Sequence, residues 1–494
     1  MWVKKLNDIR NLKGERLTGD VRQKLEYFKD LFSGDDVFRF RQLCCNGFNA
    51  AVLFCDSMVN NEVLGECVIK PLLLCKKPQN VRSDEYLFKS VLFAGEISKT
   101  DQVLDLVRGI LYGDTVILLD NDCLVVNTKG FRTRGINEPS DERILQGPRE
   151  GFDETAMLNF VMLRRKLPTP DLKCEITNIG RRTDTKVFIC YLESLVKKNI
   201  LKDVKRRLKE IDIDGILDSN YINELIKGNR YSLFKSSGTT ERPDIVAARL
   251  LEGRIAIIVD GTPVCITLPY LFQENFQSDE DYYLNFLVAN IGRILRYICF
   301  FLSITVPAIY ICLTNFFPAL LPTSFVISIS ASRSGVPFPS FLEAVVLIFI
   351  FEILKETGIR MPQSLGHALS IVGGLVVGQA AVDAKIVSAP MLIVVALSGI
   401  CGLMIPKLKG AIFYYRLFFA LLSSLLGFFG LFFGVAIMLI SILKMKSFTV
   451  DYTGSIKEFN ANSLKDDYIR APFWFLKTRP RELTNNTVRM REKE

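Results

Sequence analysis

Leu365–Ser388 reads LGHALSIVGGLVVGQAAVDAKIVS. The run is mostly apolar and long enough to cross a hydrocarbon core, which takes about 20 helical residues. A plain lipid anchor would carry Leu where this run carries small or polar side chains. On a helix, Ser370, Gly374, Gly378 and Ala381 fall at i, i+3/i+4 spacing and form one narrow stripe. Gly374 and Gly378 make a G-x-x-x-G pair, which lets another helix backbone come close. Asp383 and Lys385 lie near the end, where charge is costly unless paired, hydrated or interfacial. Two readings stay open: a helix packed inside a bundle, or a helix that lines a polar path and moves during gating. On the second reading Ser370, Gly374, Val377, Gly378 and Ala381 are the candidate pore-lining or gate positions.

Working outward, apolar runs dominate from about Ile294 to Leu443, and the chain on either side is charged. Its 494 residues exceed one compact core. The expected organisation is a charged extension (1–35), a first αβ subdomain (36–130) and a linker with a second αβ subdomain (131–290). A membrane domain of about four to six helices (291–445) and a basic cytoplasmic tail (446–494) follow. The expected fold class is thus an α+β N-terminal region of two similar αβ subdomains, then an all-α polytopic membrane domain. The N-terminus, MWVKKLNDIRNLKGERL, lacks the apolar core of a signal peptide. Arg293 and Arg296 before the first span, with Lys444 and Lys446 after the last, favour both ends on the cytoplasmic side.

The membrane candidates are uneven. Leu295–Leu313 is clear, with Pro307 as a possible kink. Phe316–Ser330 is short, rich in Pro and Ser, and the least secure. Phe341–Leu354 contains Glu343 and Glu352. Leu365–Ser388 and Pro390–Ile405 follow. Ile412–Leu443 is one tilted helix or two short ones. Glu343, Glu352, Asp383 and Lys385 are the candidate intramembrane polar residues. Glu352, Glu356 and Arg360 share one helix face. Such carboxylates either line a cation path or contact a partner, or they sit at the interface and reach water.

In the αβ part, Val37–Gln42, Ala50–Cys55, Thr115–Leu119 and Cys123–Asn127 read as strands, and Asn61–Leu74 and Asp101–Leu111 as helices. The plan repeats. Asp56-Ser57-Met58-Val59 lines up with Glu193-Ser194-Leu195-Val196, and Leu111 to Asp120 with Leu251 to Asp260, at offsets of 137 and 140 residues. Before the first copy, Val21, Leu25, Phe28 and Phe32 share one face of a lead-in helix. Between the copies, Asp153 is placed to cap a helix, and Arg149, Arg164 and Arg165 read first as a solvated charged face and second as partners for acidic groups or anionic headgroups. Arg242-Pro243-Asp244 reads first as a helix start.

No phosphate loop is present. The twelve cysteines are scattered without C-x-x-C, and His367 is the single histidine, so neither a zinc site nor a disulfide scaffold is expected. No catalytic residues, cofactor or metal are expected. The net charge of +9 fits an anionic membrane surface better than nucleic acid, since no stacking motif accompanies it.

GPREGFDE (147–154), LLEGRIAIIVDGTP (250–263), SRSGVPFPSFLEA (332–344), FEILKETGIRMP (351–362), SIVGGLVVGQAAVDAKIVSAP (370–390) and LKDDYIRAPFW with RP (464–480) complete the pattern. In their order and length they resemble the A subunit of GerA-type nutrient germinant receptors of spore-forming bacteria. The resemblance implies a spore inner-membrane receptor subunit that oligomerises, as a ring, into a nutrient-gated ion channel and triggers germination with cation release. It implies a transporter-like B subunit that holds the nutrient and a lipoprotein C subunit as partners. The competing readings are a secondary transporter subunit, a membrane-anchored enzyme, and a signalling scaffold without its own pore.

Overall fold

The protein is described here by a computed structural model covering residues 12–45, 48–75, 83–130, 139, 142, 146–229, 231–360, 376, 378–454 and 464–489. Its first half is two five-stranded antiparallel sheets of the same topology. The strand orders are β1-β2-β4-β5-β3 and β6-β7-β9-β10-β8. In the first sheet β1 is Phe38–Cys45, β2 Phe48–Cys55, β3 Ile97–Lys99, β4 Thr115–Leu118 and β5 Cys123–Val126. In the second β6 is Leu172–Ile179, β7 Thr185–Leu192, β8 Gly238–Thr240, β9 Ile255–Val259 and β10 Cys265–Leu268.

The internal repeat is structural as well as sequential. Val52 pairs with Ile117 and Leu53 with Val116. Shifted by the same two offsets, Ile189 pairs with Ile257 and Cys190 with Ala256. Tight turns enter β4 and β9 at Gly113 and Gly253, with φ of +88° and +91°. A Cβ on Gly113 would stand 2.7 Å from the Met58 carbonyl oxygen, and one on Gly253 2.8 Å from that of Leu195. The repeat therefore conserves a close approach that only glycine permits.

Helices cover both faces of each sheet, which is why β4 and β9 are buried throughout. The Val21–Leu31 helix, capped by the Asp20 side chain, buries Val21, Leu25 and Phe28, and Phe32 follows them into the core. One apolar core joins the two halves, taking Phe28 and Val107 from the first and Phe160, Phe188 and Leu250 from the second. Arg164 sits inside it, fully buried. It pairs with Asp35 and donates to the carbonyls of Thr169 and Leu172, with its guanidinium over Phe38 and Phe160. A solvated face is thus the wrong reading for Arg164. The fold brings Asp35 from 129 residues away to neutralise it. The helix here is Ala156–Lys166, and its first N–H is taken by the Asp260 carboxylate at 2.9 Å instead of by Asp153.

The second half is helical: Phe286–Asn315, Thr323–Arg333, Ser340–Arg360, 378–383, Ala389–Leu403, Lys409–Leu426 and Phe428–Lys444. Among the described residues, two stretches are long and apolar enough to cross a membrane, Phe286–Asn315 and Pro406–Leu426, and two shorter apolar helices accompany them. The Phe316–Ser330 candidate holds a short turn and an 11-residue helix, too short for a span of about 30 Å. Ile412–Leu443 resolves into two helices that reverse at Gly427, whose φ is +61°. The helix ends gather at two levels. Ser340 bonds Asn315, Ser388 bonds Glu343, and Phe317 meets Phe428 at one level. Lys407, Lys409 and Met445 lie at the other, on the side of the αβ region.

Candidate functional site

The αβ region and the helices meet in a buried polar joint. Arg254, at the start of β9, lies 3 % exposed and pairs with Glu274 and Glu252. Arg249 adds ion pairs to the same two carboxylates at 3.2 and 3.4 Å. Burial pushes the Glu252 carboxyl up, but Arg254 and Arg249 outweigh it and hold it below the usual range. Beyond this cluster, Asp281 receives Arg293 and Arg296 from the first turns of the Phe286–Asn315 helix. Asp466 lies 3.5 Å from Arg293 and accepts the Tyr282 hydroxyl at 3.1 Å. In this joint Arg249, Arg254, Arg293 and Arg296 each meet a carboxylate, which offsets the cost of burying them in a low dielectric. Strands β11 (Lys446–Ser447) and β12 (Val450–Asp451), after the last helix, complete the joint: Ser447 accepts the Tyr270 N–H, and the Tyr452 carbonyl accepts that of Phe272. The final segment runs back over the second sheet, with Arg479 on the Leu251 carbonyl and Thr484 on that of Leu195.

A second polar cluster lies inside the bundle. Pro307 has no N–H, so the Ser303 carbonyl loses the partner four residues on that a helix would give it. Arg416 Nε donates to that oxygen at 2.9 Å and the Ser398 hydroxyl at 2.8 Å. Arg416 also donates to the Ser398 carbonyl at 3.1 Å. Three helices are tied at one point.

Glu343 is fully buried at the level away from the αβ region, and one of its oxygens accepts both the N–H and the hydroxyl of Ser388. It thereby caps the Ala389–Leu403 helix, whose N-terminus favours negative charge. Glu352 sits at the opposite level, in a cluster where Lys409 bonds Glu356 at 2.9 Å and approaches Glu352 at 3.9 Å. The structure therefore separates Glu343 from Glu352. Asp383 and Lys385 are exposed where 378–383 ends. Gly378 and Ala381 face Leu347, Phe351, Leu392 and Val395 around an apolar cavity of about 190 Å³. Ser370, Gly374 and Val377 lie outside the described residues. Among the described residues, no three His, Cys, Asp or Glu side chains are arranged to hold a metal ion.

Residues 26–482 match the Bacillus/Clostridium GerA spore germination protein family. The chain belongs to that family. It is 39 % identical to spore germination protein KA of Bacillus subtilis, over 88 % of this chain and 80 % of that one. It is 35 % identical to the uncharacterized membrane protein YfkQ of the same organism, over 97 % and 93 %. A solved structure, the N-terminal domain of the A subunit of the Bacillus megaterium spore germinant receptor GerK3, aligns at 29 % identity and a TM-score of 0.40. The alignment covers 52 % of this chain and 97 % of that one.

In this GerA-family chain, sequence reasoning passed over Arg416, although it is the single charged residue between Ala411 and Leu443. An ionisable group in such a run signals a buried partner. It also passed over Gly430 and Gly434, a second G-x-x-x-G pair. A Cβ on Gly430 would stand 2.0 Å from the Leu422 carbonyl oxygen, and one on Gly434 3.0 Å from Phe419. At Gly378 the same Cβ meets Leu392 at an ordinary 3.5 Å. The close helix approach is thus at Gly430 and Gly434. The Asp281 and Glu274 joint carried no local signal, because Arg293, Arg296 and Arg254 stand 12, 15 and 20 residues from their carboxylates, outside the reach of helix or strand periodicity.

Proposed function

We propose that the chain is the A subunit of a nutrient germinant receptor in the spore inner membrane. In this reading copies of it assemble as a ring and form a nutrient-gated ion channel. A transporter-like B subunit holds the nutrient, and a lipoprotein C subunit completes the complex. The observation that carries the reading is the family match across both halves of a chain whose αβ tandem is joined to its helices through buried ion pairs.

Nutrient bound to a partner shifts a closed–open equilibrium only through different affinity for the two states. The αβ tandem is the lever and the buried joint its linkage to the Phe286–Asn315 helix. The 365–388 run is the gate. Gly378 and Ala381 seat it against Leu392 and Val395, while Val376 on its other side is exposed. Val377 and its neighbours then form a constriction that dewets when closed. Glu352 and Glu356, paired with Lys355, Lys409 and Arg360, tie the Ser340–Arg360 helix to the Lys409–Leu426 helix near the αβ-side mouth.

Single-channel recording of the purified chain in planar bilayers, alone and with B and C partners plus nutrient, tests the reading. Nutrient-dependent current altered by Val377→Ala or Gly378→Leu is expected. A silent bilayer despite a folded oligomer would make the chain a signalling scaffold.

A further inference from the structure

A loop of the second αβ copy, after the Ser219–Leu225 helix, touches the last helix of the bundle at its αβ-side end. The Ser232 hydroxyl donates to Met445 Sδ at 3.4 Å. Met445 stands two residues beyond Leu443, the last apolar residue of the Phe428–Lys444 helix, about 3 Å by helical rise. Phe234 is buried and stacks on Tyr415, with ring centroids 5.8 Å apart. Tyr415 lies inside the Lys409–Leu426 helix, about 9 Å from its αβ-side start. Phe234 also shares a core with Ile442 and Met445. The loop is therefore level with the αβ-side edge of the apolar helices. Ser232 and Phe234 face those helices, while Tyr231 and Leu233 are 95 and 43 % exposed.

Lysines crowd the same level. Lys444 and Lys446 flank Met445 and are exposed. Lys407 donates to the carbonyls of Glu274 and Gln277 at 3.3 and 3.0 Å, which carry no charge to cancel its own. Lys235 is exposed yet crowded. Partial desolvation, then the charge of Lys407, then that of Lys227, push its ammonium below the usual range. Among the described residues Glu142 is the carboxylate that pulls the other way, and it already accepts the Thr240 hydroxyl and the Glu241 N–H. Three ammonium groups around one carboxylate leave an excess of positive charge beside two outward apolar side chains. An anionic phospholipid complements both: its phosphate suits the lysines, its acyl chains suit Leu233, and tyrosine favours the boundary between them. We propose that Lys227, Lys235 and Lys407 bind the headgroup of an anionic phospholipid, with Tyr231 and Leu233 seated at the headgroup–acyl boundary. The inference rests on the membrane reading above. It adds a lipid site on the αβ tandem itself, which the tandem and the Lys409–Leu426 helix share.

Native mass spectrometry of the full chain in detergent, titrated with phosphatidylglycerol or phosphatidylcholine, tests the site. The first phosphatidylglycerol is expected to bind more tightly than phosphatidylcholine. Lys227→Gln with Lys235→Gln should weaken it by about fivefold for each lysine removed, while the paired Arg substitutions keep it. Equal binding of the two lipids, or a Gln pair that binds like the native chain, overturns the proposal. So does displacement of the lipid by inorganic phosphate, which would make this a site for the free ion. Depth is read separately with Tyr231→Trp in vesicles, as the emission added over the native chain. Quenching by a lipid spin-labelled near the headgroup is expected. Quenching by aqueous iodide undiminished by lipid overturns the proposal, as does shielding from iodide without quenching by the lipid label, which would put a neighbouring copy on the loop. A chain that does not co-float with vesicles refutes the membrane reading itself, which separates the two failures.

Discussion

Arg416 donates its Nε–H to the carbonyl of Ser303, the acceptor that Pro307 leaves without a helical partner. A charge and a kink that each look unfavourable alone thus answer one another. Removing Arg416 alone trades lost hydrogen bonds against relief of a buried charge. The informative variant is Arg416→Met with Ser398→Ala, which strips the Ser303 carbonyl of both donors and is expected to cost about 1–3 kcal/mol. Adding Pro307→Ala restores an N–H and should stabilise that double variant more than it stabilises the native chain. A thermal-melt cycle in detergent measures the coupling.

Gly430→Ala and Gly378→Ala separate close helix approach from ordinary contact. The first places a methyl 2.0 Å from the Leu422 carbonyl oxygen and must push the last two helices apart. The second meets Leu392 at 3.5 Å beside a cavity that accommodates it. Gly430→Ala is expected to lower the melting temperature in detergent clearly, and Gly378→Ala to leave it within error.

The repeated turn predicts matched costs in the two αβ copies. Gly113→Ala and Gly253→Ala each force a side chain into a left-handed backbone and against a carbonyl oxygen. Gly261 shares the φ of +91° but has open space around its Cβ direction. Gly261→Ala should therefore cost only the backbone term, about 1–2 kcal/mol. The other two should cost more and resemble each other in chemical denaturation.

Docking of the C-terminal segment is expected to depend on pH through Asp466. Burial raises its carboxyl from 3.8 to about 6, against the lowering influence of Arg293. A carboxyl raised by folding contributes stability that is complete below its unfolded value and lost as pH rises through about 6. Hydrogen exchange of residues 464–489 should slow as pH falls from about 7 to 5, after correction for intrinsic rates. Asp466→Asn should flatten that dependence.

Asp35→Ala leaves Arg164 charged and buried between the two sheets. The expected loss is about 3–5 kcal/mol. Replacing both residues by apolar ones should cost much less. Thermal unfolding of the full chain distinguishes the two.

Much of this architecture was legible in order. Period-two runs gave the strands, the 137- and 140-residue offsets gave the duplication, and the sustained apolar block gave the helical half. These features are local: they follow from side-chain alternation, helix spacing and turn chemistry within a few residues. Val21, Leu25, Phe28 and Phe32 could be assigned to one buried face because they share a helix.

The tertiary structure decided which charges are buried and what answers them. Arg164 reads as surface until Asp35 arrives from 129 residues away. Arg293 reads as a flanking cation until Asp281 and Asp466 close on it. Two G-x-x-x-G pairs look alike on paper, but the distance to a facing carbonyl at Gly430 exists only once Gly427 has turned the chain back. Sequence alone determined which segments would bury apolar surface, because that depends on composition and period. Which groups meet depends on the path between segments, and only the folded chain specifies it.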